Sequence, residues 1–303
     1  MILPYRKIFK QAYEIVWNNK FLWIFGLFLL FGNFFNFNYV FQSQGTNSGD
    51  LSWFQNHAFL GNLTLLIVLG VILELILLLF KARAGNIIAV KAIIDRQETS
   101  FVKSFNYGGL FHLRLLGVFL LMQIALFLAL VVIGGPIFYL FSLKFFIRAL
   151  ILSAIGLIIF IPISVIAALI SFLAPMFVVL HDFKIGEAIQ RSFELVSQFW
   201  FTLLVFSFML FCLAVLAFLA SLIAAAITAL PFVLLAYLAY HKVGFGAGVA
   251  LTIVSVTAGS IVFLIIQALV ATFAQTAWVL AFLELIKPQK LEEEESLPVP
   301  EIV

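Results

Sequence analysis

The stretch Lys184–Leu204, KIGEAIQRSFELVSQFWFTLL, decides the fold, because a charged amphipathic pattern there runs straight into a long apolar segment. Two other stretches share its make-up: Arg6–Trp23, RKIFKQAYEIVWNNKFLW, and Thr99–Leu116, TSFVKSFNYGGLFHLRLL. Aligning Phe9, Phe101 and Ile189 also aligns Ala12/Ser104/Ser192, Tyr13/Phe105/Phe193 and Val16/Gly108/Val196, at the i, i+3, i+4, i+7 spacing of a helix. Each stretch precedes a pair of apolar segments. The period of about ninety residues therefore predicts an all-α integral membrane protein with six transmembrane helices, arranged as three repeated units of interfacial amphipathic helix plus transmembrane hairpin.

Composition agrees. Hydrophobic residues make up 65% of the chain, charged residues 10%, and Phe alone occupies 37 of 303 positions, too little polar surface to coat a fold in water. About 20 apolar residues cross a bilayer core of about 30 Å, and lipid admits no unpaired backbone. The six expected spans are 21–41, 60–80, 115–141, 149–180, 201–228 and 249–285. They form a single polytopic domain, 1–286, with repeats at about 1–92, 93–180 and 181–286. The apolar run that opens at Phe21 is longer than a signal-peptide core, so it is expected to stay as the first span.

Charge sets the expected orientation. Alternating faces place Arg6, Lys7, Lys10, Lys20, Lys81, Arg83, Lys91, Arg96, Lys103, Arg114, Lys184, Arg191, Lys287 and Lys290 on one side, against Lys144, Arg148 and Lys242 on the other. The positive-inside rule then puts both termini in the cytoplasm of a cell (cytoplasmic) membrane protein. The net charge of +3 reflects this distribution and gives no reason to expect nucleic acid. Gln42–Ala58 reads as the first outer loop, Gly134–Gly135–Pro136 with Lys144 and Arg148 as the second connection, and Pro231 with His241–Gly248 as the third. The run Phe201–Tyr240 could hold one or two spans, and the repeat favours one span followed by a re-entrant or interfacial piece. Residues 287–303, with four consecutive Glu, read as a disordered acidic cytosolic tail.

The segment Ala174–Leu204, APMFVVLHDFKIGEAIQRSFELVSQFWFTLL, resembles the recurring core of a bacterial membrane-domain family associated with glycerophosphoryl diester phosphodiesterases, and Ala12–Phe28 is similar to the first copy of that element. The resemblance implies a multi-pass helical domain, in some members fused to a soluble catalytic domain. With 17 residues after Ile286, the expectation here is a stand-alone membrane domain without the phosphodiesterase chemistry.

Candidate polar sites are few. Glu74 sits inside the apolar run of the second span, and with Lys81 and Arg83 it could form an intramembrane polar site if the helix continues inward past Ala84. Arg6, Lys7, Lys10 and Arg191 are the candidate contacts for lipid headgroups or a partner. In the first stretch Tyr5, Ile8, Phe9, Ala12, Tyr13, Val16 and Trp17 are expected on the apolar face. Amides such as Asn33, Asn36, Asn38, Gln123, Gln267 and Gln275 read as hydrogen-bonding glue between helices. The single cysteine, Cys212, excludes an internal disulfide, and the four histidines have no ligand spacing, so no metal or other cofactor is expected. No catalytic constellation is recognisable. The expected function is a non-enzymatic membrane module that binds lipid or a protein partner, a second copy included; the alternative is a transporter or channel for a small or lipidic solute.

Overall fold

A computed structural model describes residues 3–34, 58–242 and 244–296. All its described elements are helices: α1 (Tyr5–Asn18), α2 (Leu22–Phe34), α3 (Ala58–Ile94), α4 (Phe101–Gly108), α5 (His112–Ser142), α6 (Phe146–His181), α7 (Ile185–Lys242) and α8 (Phe245–Ser296). Among the described residues four helices are long and apolar enough to cross a membrane: α5, α6, α7 and Phe245–Lys287 of α8. The chain is an all-helical protein of multi-pass membrane type. Residues 42–57 of the expected first outer loop, together with Asn36 and Asn38, lie outside the described residues, as do 297–303 of the expected tail.

Each amphipathic stretch ends at a matching register. α1 stops at Asn18 before a turn at Asn19–Phe21, and α4 stops at Gly108 before Phe111 (φ −110°, ψ −10°) starts α5. In α7 the helix is continuous except at Phe199 (φ −119°, ψ 26°). Asn19, Phe111 and Phe199 are the same position in the sequence alignment. Burial keeps that register too. Ala12, Ser104 and Ser192 are all fully buried; Val16, Gly108 and Val196 are buried; so are Gly26, Val118 and Phe206, and then Leu30, Met122 and Leu210.

Three sequence-based boundaries move. The second connection is narrower than expected: Gly134, Gly135 and Pro136 lie within α5, and the turn falls at its Lys144 part, a left-handed residue (φ 61°). Gly and Pro break helices in water because water takes over the freed backbone groups. Lipid offers no such substitute, so the helix persists. For the same reason Pro231 stays inside α7, and Phe201–Tyr240 is helical throughout with no re-entrant break. The chain reverses instead at Gly244 (φ 125°), a conformation glycine adopts without a Cβ clash. Residues 287–296, expected as the start of a disordered tail, continue α8, consistent with the good helix propensity of Glu and Lys.

The chain divides into two compact units. The first comprises Met1–Ala12, Leu110–Met209 and Thr276–Val303. Its centre is an aromatic ladder: Phe206, fully buried, stacks on Phe9 (5.7 Å) and Tyr5 (6.3 Å) and takes the edge of Trp278 (5.0 Å), which stacks on Phe172 (5.2 Å). Each such pair contributes about 0.5–1.5 kcal/mol beyond its buried area. Phe177, Phe183, His181 and Phe282 form a second aromatic group, beside which Asp182 (φ 56°) ends α6 and pairs with Arg114 at 2.5 Å.

The second unit comprises Tyr13–Gly109 and Leu210–Gln275. Phe25 is fully buried with its ring 4.7 Å from Phe101, and Phe28 meets Phe105 at 6.1 Å. Gly108 lets α4 rest on α3, since a Cβ there would run into the Lys81 carbonyl and the Gly85 backbone. Gly26 likewise brings α2 against the Ala268 carbonyl and the Thr272 hydroxyl, and that hydroxyl donates to the Leu22 carbonyl at 3.2 Å. Farther along, Gln267 Nε2 donates to Ser221 Oγ (2.8 Å) and Ser255 Oγ to the Ala229 carbonyl (3.1 Å). These are the small-residue seams and polar bonds expected between helices in lipid.

Candidate functional site

α1 is held by one side. Ile8, Ala12 and Val16 are buried, Tyr5 and Phe9 lie partly buried against Phe206, and Arg6, Lys7 and Lys10 are exposed. Tyr13 and Trp17, expected on the buried face, are instead more than half exposed. The helical period could not separate them from Val16, since an aromatic ring reads as apolar whichever way it points.

The four candidate contact residues differ in their surroundings. Lys7 Nζ lies 3.8 Å from Glu284 Oε1, and Lys287 reaches the same oxygen at 3.0 Å. Arg191 pairs with Glu194 on its own helix at 3.5 Å. Arg6 and Lys10 complete the exposed basic side of α1. Exposed pairs of this kind contribute about 0–1 kcal/mol, so Lys7 and Arg191 remain able to meet an anion.

The second group lies on α3, which runs unbroken past Ala84 to Ile94. Glu74 is exposed, as are Val71, Leu73 and Leu75 around it. Lys81, seven residues on, is on the same side of the helix, about 10 Å along its axis. Its ammonium sits 4.4 Å from the centre of the Phe105 ring, a cation–π contact. Arg83 falls nine residues after Glu74, half a turn round, so it faces away from that carboxylate. It lies beyond the apolar 60–80 segment, and burial lowers its guanidinium below the ordinary value to about 10, which leaves it charged at neutral pH.

Some polar groups were not singled out from sequence. Glu284 was hidden by its place at the end of an apolar run, and Asp182 by its distance of 68 residues from Arg114. Asn86 is fully buried with neither side-chain atom hydrogen-bonded within the protein. Among the described residues no group of three or more His, Cys, Asp or Glu is placed to hold a metal ion.

Comparison with family models, with curated proteins and with solved structures returns no match.

Proposed function

We propose that the chain is a cytoplasmic-membrane protein of three related hairpins, six spans in all, with both termini cytosolic, acting as a non-enzymatic module that gathers anionic lipid at its cytosolic face. The three-hairpin reading draws its support from the junctions at Asn19, Phe111 and Phe199 and from burial that recurs in one register. The resemblance to the phosphodiesterase-associated membrane domains implies a multi-pass helical domain. The orientation draws its support from the fourteen cationic side chains gathered on one side of the six-span arrangement.

One observation carries the function: α1 is pinned by its apolar side while Arg6, Lys7 and Lys10 stay exposed. A cationic surface fixed beside the start of a span is attracted to an anionic leaflet by about 1 kcal/mol per Lys or Arg. Transport through the α3 group gains less support, since Arg83 faces away from Glu74. The test is lipid analysis of full-length protein extracted with its native annulus. Arg6→Gln with Lys10→Gln should lower the anionic share of co-purified lipid; an unchanged share excludes the lipid role. For orientation, Lys144→Cys and Lys242→Cys in a Cys212→Ser background should react with an impermeant thiol reagent on intact cells, and Arg191→Cys should not.

A further inference from the structure

The second unit carries an aromatic surface that the packing leaves uncovered. Tyr13 is 56% exposed and Trp17 54%. Their rings stack at 5.8 Å with 15° between planes, and Trp17 meets Trp23 at 6.0 Å and 49°. The Trp23 indole N–H donates to the Val16 carbonyl at 2.9 Å, fixing that ring at the corner between α1 and α2. Lys20 is exposed in the same turn. Two residues later α2 begins, and Leu22–Phe34 contains Asn33 as its one amide and no charge.

A row of aromatic rings facing water gains nothing from its exposure. At the headgroup level the same row is well solvated: ring bodies rest on the upper acyl chains while the Tyr13 hydroxyl and Trp17 indole N–H meet ester and phosphate oxygens. The chain itself sets the depth, because α2 must enter hydrocarbon within a turn of Lys20. The charge fits as well, with the Lys20 ammonium placed for a lipid phosphate.

We infer that Tyr13, Trp17 and Trp23, with Lys20, form a docking surface for the headgroup and glycerol layer of a phospholipid leaflet, fixing the depth at which the α1–α2 corner sits. This rests on the membrane reading proposed above. It assigns lipid contact to the aromatic flank of α1, whereas the apolar side is taken up by protein.

The test uses full-length protein in nanodiscs made with phospholipids brominated either near the ester carbonyl or near the chain end. The difference between wild type and Trp17→Phe isolates the Trp17 emission. That share should be quenched more by the shallow bromines than by the deep ones, and little by acrylamide in the water. Quenching by acrylamide alone would overturn the inference. Because Trp17→Phe could disturb the corner, Tyr13→Cys in a Cys212→Ser background, labelled with a polarity-sensitive dye, gives an independent reading. Blue-shifted emission in the discs supports docking, and water-like emission opposes it. Water-exposed rings with retained anionic-lipid enrichment would remove this surface and leave the proposed function standing. Shallow quenching without enrichment would do the reverse.

Discussion

Within single hairpins, the ends near the amphipathic stretches and the tips are packed by opposite rules. In the α5–α6 hairpin, Leu115, Val118 and Met122 are buried near the start of α5 and every residue from Leu173 to Val179 near the end of α6, but between 123 and 166 only Ala149 and Gly156 are buried. In α7 and α8 the described residues buried between 211 and 267 are Ser221, Ala236, Gly248, Ser255 and Gly259, all small. Near the junctions large side chains are buried as well, Phe206, Phe282 and Trp278 in one unit and Phe25 and Leu22 in the other, beside small ones such as Ala12, Ser104 and Ser192. Large groups interlocked inward give the close-packed core familiar from soluble folds, and here they lie at the ends of the proposed spans. Small groups inward with Phe138, Ile147 and Val132 outward, each more than 70% exposed, are what lipid selects, because acyl chains solvate a large apolar side chain as well as protein does. The two packing modes meet along individual helices.

The sharpest break of this contrast is Phe206→Ala. The ring is fully buried among Tyr5, Phe9 and Trp278, so its loss should cost about 3–5 kcal/mol, read as a fall in unfolding free energy in bicelles. A cost near zero would mean that the junction end is not held by a close-packed core. Next is the opposite change at the tips. Gly259 faces the Ala225 carbonyl and the Ala229 methyl, and Gly259→Leu should cost about 1–3 kcal/mol by forcing the α7 and α8 helices apart. Smaller again is Gln267→Leu, which removes the bond to Ser221 and should cost about 0.6 kcal/mol, with an upper range near 1.7 kcal/mol.

The sequence carried the helices, because each needs only its own period. It also carried Gln267 as an interhelical hydrogen-bonding residue. It did not carry the side on which Tyr13 and Trp17 emerge, since that depends on Tyr5 and Phe9 finding Phe206 nearly two hundred residues away. It included Lys144 in the second connection, but it could not tell that Gly134 and Pro136 stay helical, because they signal a break only where water can satisfy the backbone. Of the candidate polar sites, Glu74 and Lys81 share a side of α3 through their i, i+7 spacing, and Arg83 parts from them through helical phase.

The smallest effect is the most discriminating. Phe138 is 78% exposed near the tip of α5. If lipid is its solvent, Phe138→Ala exchanges ring–lipid contact for methyl–lipid contact in the folded and unfolded membrane states alike, and stability should change by no more than about 0.5 kcal/mol. If a second copy covers the tip, the ring is part of an interface core, and the same substitution should instead weaken a dimer in a concentration-dependent way. Measuring unfolding at two protein-to-lipid ratios separates the cases. A small cost that ignores the ratio keeps the tip in lipid. A cost that appears at the higher protein-to-lipid ratio and shrinks with dilution moves Phe138 from the lipid side of the contrast to the protein side and turns the bare hairpin into an assembly surface.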